Sequence, residues 1–183
     1  NPGDHQDQRD RQRREIPAQR AARAAQAVPQ LLAPAKLARR KQRLTALANQ
    51  LNSLNGYAAD VGDTESLAYA IRKAKAKSGA IDVAILNAGI YQPQDGTKID
   101  PQIYANHMTI NYLGVVNALA GLVPDMVRDG KGHIAIVSSV AGWRGLPKSA
   151  AYGPTKAALI SLAESLYFDL VPHGLKIQVI CPG

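Results

Sequence analysis

Apolar positions along this chain fall into helical and strand patterns only after about residue 35. Leucines at 37, 44, 47, 51 and 54 are spaced by three, four and seven, which predicts a helix over 37–54. Tyr57 to Val61 reads as a short strand with Asp60 at its end. Thr64 is placed to cap a helix running to about Lys77, and Ser78-Gly79 stops it. Ile81 to Leu86 is an apolar run of strand length. A helix or broken helix follows over Pro101 to Arg128, closed by the turn Gly130-Lys131-Gly132. His133 to Ser138 is a second buried type of strand, Tyr152 to Val171 a long helix, and Lys176 to Ile180 a last strand. Helix alternating with apolar strand implies an α/β protein built on a parallel sheet with helices on both faces.

Sheets of that kind bind ligands beyond the carboxyl ends of their strands. The residues to inspect are therefore Asp60, Asn87, Ser139 and Pro182. Ahead of this region the chain is different. Residues 1–35 are rich in Arg, Gln and Ala, with Pro at 2, 17, 29 and 34, and predict a basic, poorly ordered segment with a helical stretch over Gln19 to Ala27. The folded domain is expected over 36–183. Charge divides the same way: of the net +8, residues 1–43 carry +7, from eleven Lys/Arg against four Asp/Glu. The basicity thus belongs to one segment and not to the folded body. That segment has no aromatic residue on which a base could stack, so no nucleic-acid partner is expected.

The strand ends carry chemistry. Asn87-Ala88-Gly89 follows one strand, and its small residues let backbone approach a bound ring closely. Ser138 and Ser139 follow another. Thirteen residues beyond Ser139 lies Tyr152, and four further on Lys156. On a helix, i and i+4 share a face, so phenol and ammonium are neighbours. A nearby cation favours the phenolate and lowers a tyrosine pKa from its usual value of about 10, as an acid/base group near neutral pH requires.

Asn87-Ala88-Gly89, Asn111, Ser139, Tyr152-Gly153-Pro154-Thr155-Lys156 and Pro182-Gly183 stand in the order and spacing of the short-chain dehydrogenase/reductase family. The resemblance covers about Ala38 to Gly183. It implies a Rossmann-like doubly wound parallel sheet and an oxidoreductase that moves hydride between NADP or NAD and a carbonyl or secondary alcohol. By it, Tyr152 is the general acid/base, Ser139 holds the substrate oxygen, and Lys156 lowers the tyrosine pKa and binds the nicotinamide ribose. Asn111 resembles the family's helix asparagine that holds a water in the proton relay. Asp60-Val61 resembles the pair that contacts adenine, Asn87, Ala88 and Gly89 line the adenine-ribose side, and Pro182-Gly183 lies beside the nicotinamide. Arg39 and Arg40 resemble basic residues that meet a 2′-phosphate, which inclines the cofactor toward NADP. The resemblance also implies a homo-oligomer for the full-length form, with Leu159, Leu162, Ala163 and Leu166 available to core or interface.

Departures from the family pattern are equally specific. Before residue 56 the only glycine is Gly3, so the glycine-rich pyrophosphate turn is missing, and Leu86 stands where a first asparagine is common. The fold is expected to be incomplete at both ends, without the substrate-covering loop after Pro182-Gly183. Three readings follow: a working oxidoreductase, a truncated or inactive member, or a basic-arm interaction protein on the same fold. His107 and His133 read as structural, Cys181 as a small buried residue and not a nucleophile, and no metal is called for. A single cysteine, no signal-peptide pattern and polar breaks in the longest uncharged stretch (Asn106, His107, Asn111, Gly114 and Asn117) point to a cytoplasmic protein with no membrane partner.

Overall fold

The computed structural model describes residues 35–39, 42, 45, 46, 49 and 55–183. The expected helix over Gln19–Ala27, the basic segment up to residue 34, Arg40, and Leu44, Leu47, Leu51 and Leu54 lie outside them. Strand β1, Ala35–Ala38, pairs in parallel with β2, Asn55–Ala58, so that Leu37 stands opposite Tyr57. Leu37 therefore belongs to a strand and not to the start of a helix, a correction to the leucine periodicity. Between the strands, helical residues Gln42, Thr45, Ala46 and Asn49 are all exposed. Their spacing of three, one and three marks the outward face of a helix that begins after β1.

Helix α1, Thr64–Ser78, is capped one residue earlier than expected: the Asp63 carboxylate accepts from the backbone N–H of Glu65 at 3.0 Å and of Ser66 at 3.1 Å. An aspartate satisfies two orphan donors there and also meets the positive end of the helix. Strands β3 (Val83–Leu86), β4 (Gly132–Val137) and β5 (Leu175–Ile180) form a second parallel sheet in the order β3-β4-β5. Among the described residues the sheet is thus in two pieces, one of two strands and one of three. β4 lies between two neighbours, and Ile134 and Ile136 are fully buried. On β3 the small Ala84 faces the core, while Val83 and Ile85 are 54% and 67% exposed.

The long helical run consists of α2 (Pro101–His107), a single π-helical stretch (Met108–Leu113) and α3 (Gly114–Asp129). Its 29 residues, with an 18-residue window of mean hydropathy 1.3, would suffice to cross a membrane by length and composition. Here its apolar side is spent on the protein's own core: Val115, Leu119, Leu122 and Met126 pack with Leu67 and Ile71 of α1 and with Ile134 and Ile136 of β4. Helix α4, Gly153–Leu170, closes the other flank with Leu159 and Ala163 buried and Leu162 and Leu166 packed against the same core. All four belong to the core of this chain, so its interior accounts for their helical spacing.

The turn into β5 depends on Gly174, which sits at φ +82° with a virtual Cβ 2.3 Å from the Gly130 carbonyl oxygen. Gly174→Ala is expected to cost at least about 1–2 kcal/mol from the left-handed backbone alone, with the clash adding to it. A lowered urea midpoint at unchanged slope would be the reading; an unchanged midpoint would count against this account of the turn.

Candidate active site

The carboxyl ends of β3, β4 and β5 meet the first turn of α4, and the predicted chemistry residues gather there. Ser138 N–H donates to Ile180 O at 2.8 Å and Val140 N–H to Pro182 O at 3.1 Å, so β5 delivers Pro182 beside the loop that carries Ser139. Ser139 is extended and caps a short 3₁₀ turn, Val140–Gly142, its Oγ accepting from Ala141 N–H at 3.1 Å. That turn lies directly on α4. A Cβ on Gly142 would come within 2.8 Å of the Lys156 carbonyl carbon, a backbone approach that only glycine allows.

Tyr152 occupies the N-cap of α4, half-buried, and Lys156 follows one turn later at 4% exposure. The ammonium is 5.5 Å from the Tyr152 ring centroid and donates to Val137 O at 2.8 Å. Sequence spacing alone does not reveal a further clamp: the buried Ser138 hydroxyl donates to Lys156 O at 2.8 Å. Ser138 thus ties the helix backbone at Lys156 to the end of β4, while its neighbour Ser139 is left half-exposed for chemistry. Thr155, fully buried, was also beyond reach of the sequence. Its hydroxyl donates to Tyr152 O at 2.7 Å and accepts from Asn111 Nδ2 at 3.1 Å.

Asn111 lies in the π-helical stretch and is fully buried. Its Oδ1 accepts from Ile90 N–H at 2.7 Å and its Nδ2 donates to Ile90 O at 3.0 Å. The side chain therefore bridges to the loop after β3, not to groups within its own helix. π-bulges of this kind recur at functional sites. His107 is fully buried and bridges similarly: Nδ1 lies 2.7 Å from Ile103 O and Nε2 3.2 Å from the Gln92 amide. Because that amide can only donate, Nε2 accepts, the proton sits on Nδ1, and the ring is neutral. His107 thereby holds a loop of the site.

Asn87, Ala88 and Gly89 follow β3 with Asn87 and Gly89 exposed. A Cβ at Gly89 would stand 3.5 Å from Asn111 Oδ1 and 3.6 Å from Lys156 Nζ, so glycine leaves the ammonium approachable from the strand end. At the other end, Asp60 accepts from Gly62 N–H at 3.0 Å and lies 3.8 Å from the Arg39 guanidinium, both side chains about half-exposed. Val61 O accepts from Asn117 Nδ2 at 3.0 Å. His133 Nε2 faces Gln178 Oε1 at 3.1 Å across the sheet, away from this cluster.

Burial pushes the Lys156 ammonium below the ordinary lysine range, with Cys181 partly opposing the shift. A lysine whose folded pKa is depressed binds its proton less well in the native state. Stability is then lowest where both states are protonated, and it rises with pH from the folded value toward the unfolded one near 10.4. The urea midpoint is expected to climb as pH rises toward that unfolded value, and Lys156→Met is expected to flatten the climb. Parallel curves for the two proteins would contradict the assignment.

A parallel α/β sheet whose strand ends meet a tyrosine–lysine helix turn defines the class to which this chain's relatives belong. The short chain dehydrogenase family model matches residues 21–183, and the chain is a member of that family of oxidoreductases. The oxidoreductase UcpA of Escherichia coli is 36% identical over 126 residues, 68% of this chain and 48% of that protein. The 17-beta-hydroxysteroid dehydrogenase type 1 of Homo sapiens is 34% identical over 135 residues, 74% of this chain and 40% of that enzyme. Among solved structures, a gluconate 5-dehydrogenase from Burkholderia cenocepacia in complex with NADP and tartrate superposes with TM-score 0.78 at 26% identity, covering 82% of this chain and 61% of that one. The chain spans about half the length of the curated relatives it matches.

Proposed function

We propose that this chain carries the proton-handling half of an NAD(P)-dependent oxidoreductase acting on a carbonyl or secondary alcohol. The observation that carries this reading is the convergence of Ser139, Tyr152 and Lys156 at one strand end, with the ammonium 5.5 Å from the tyrosine ring and next to Gly89. The donor set fits a nicotinamide nucleotide. Lys156 and Tyr152 would hold the nicotinamide ribose, Pro182 and Gly183 would lie beside the nicotinamide, and Asp60 and Val61 would meet the adenine. Arg39, exposed beside Asp60, would face a 2′-phosphate, which favours NADP over NAD.

When bound, that cofactor supplies or accepts the hydride. The chain's own residues manage the proton and the geometry. Ser139 Oγ already accepts from Ala141 N–H, so its hydroxyl proton can point outward to a substrate oxygen. Tyr152 gives its phenolic proton to that oxygen in reduction and takes it back in oxidation. Lys156, positively charged and poorly solvated, stabilises the phenolate left behind more strongly than a hydrated ammonium would. Ser138 and Gly142 hold the helix backbone at Lys156 and so keep the three groups in register.

Titrating the chain with NADPH and NADH, followed by nicotinamide fluorescence, tests the reading. Saturable micromolar binding, tighter for NADPH, is the expected result. No binding of either would overturn it for this chain and leave the inactive-member reading. The same proposal places the protein in the cytoplasm, on its single cysteine, and as a homo-oligomer at full length; cell fractionation and light scattering check these.

A further inference from the structure

Tyr91 belongs to no motif, yet the molecule holds it with unusual care. The residue before it, Ile90, is gripped on both backbone groups by Asn111, and the residue after it is held by His107 Nε2 at 3.2 Å. Two positions further on, Gln94 N–H donates to Lys148 O at 2.9 Å, tying this loop to the one between Ser139 and Tyr152. The buried Gln94 side chain closes the loop on itself through Gln92 O and Pro93 O. The clamps on either side of Tyr91 come from fully buried side chains, whereas Tyr91 itself is 54% exposed. Its ring meets Tyr152 at 5.2 Å between centroids and 71° between planes, an edge-to-face contact.

We propose that Tyr91 is the specificity wall of the site: the exposed part of its ring receives a flat, unsaturated or aryl group attached to the carbonyl carbon of the substrate. A ring fixed by its backbone on both sides pays little conformational entropy when a ligand stacks on it. It stands against the tyrosine that would exchange the proton, so a group packed on it sits next to the reacting oxygen. An aromatic wall favours planar π-systems over saturated rings of equal size. The wall rests on the oxidoreductase reading for its substrate but not for its binding energy, and this allows the two to be tested apart.

The experiment compares acetophenone with cyclohexyl methyl ketone, two methyl ketones of similar size, one planar and one saturated. Affinity for the whole chain is read by ligand-observed NMR for wild type, Tyr91→Ala, Tyr91→Phe and Tyr152→Phe. Wild type is expected to prefer acetophenone by about three- to tenfold. Tyr91→Phe and Tyr152→Phe keep that preference, and Tyr91→Ala loses it. Equal affinity of wild type for the two ketones, or an undiminished preference in Tyr91→Ala, overturns the proposal. Turnover with NADPH, measured alongside, judges the oxidoreductase reading separately: selective binding without turnover refutes that reading and leaves the wall standing.

Discussion

Tyr152→Phe is expected to lower carbonyl reduction by about 10²–10⁴-fold, the usual worth of a positioned acid/base group. The substitution removes one hydroxyl and little else. The ring that meets Tyr91 stays, and Tyr152 O, the acceptor for Thr155, belongs to the backbone. Folding stability should therefore move by less than about 0.5 kcal/mol, and affinity for NADPH should change only modestly. A steady-state comparison at saturating cofactor, with a urea melt of both proteins, separates these effects. If Tyr152→Phe kept more than about a tenth of the wild-type rate, the proton would have to come from another group.

The second large effect is on stability. Asn111→Leu conserves volume but leaves the Ile90 N–H and C=O without the partners they have at 2.7 and 3.0 Å, and removes the donor to Thr155 at 3.1 Å. Each polar group stranded in this way costs about 1–3 kcal/mol, so a total of about 2–6 kcal/mol is expected for the two Ile90 groups. The loss should appear as a lower urea midpoint. It should also loosen the loop that carries Tyr91, raising KM for a ketone in the same variant. A neutral result would mean that the loop finds other partners at no cost.

Much of this architecture was legible in the chain because its causes are local. The apolar run Ile81–Leu86, the turn Gly130-Lys131-Gly132 and the helix from Tyr152 each announce themselves by composition and period, and the observed elements differ from them by one or two residues. The Tyr152–Lys156 pair was legible because helix geometry makes a four-residue spacing a spatial one, and Ser139 through the family resemblance. What could not be read depends on packing between distant segments. Leu37 has helical spacing to later leucines, but its pairing with Tyr57 decides its state. The Ser138 hydroxyl, the Thr155 bridge and the clamps on Ile90 and Gln92 link residues from 15 to 44 positions apart, beyond any period or motif. Tyr91 had no signal except a position two residues after Gly89.

The division of the sheet has a consequence for how the molecule opens. Among the described residues β1 and β2 share no ladder with β3, β4 and β5, and they pack on α1, whose Lys75 pairs with Asp125 and donates to Gly121 O at 2.7 Å. Asp60 and Val61 hang on the smaller piece, and the serine, tyrosine and lysine on the larger. Amide exchange should then resolve two foldons, with β1–β2 exchanging through sub-global openings that leave β4 and α4 protected. A dinucleotide spanning both would act as a tie between them, slowing exchange in the smaller piece far more than in the larger.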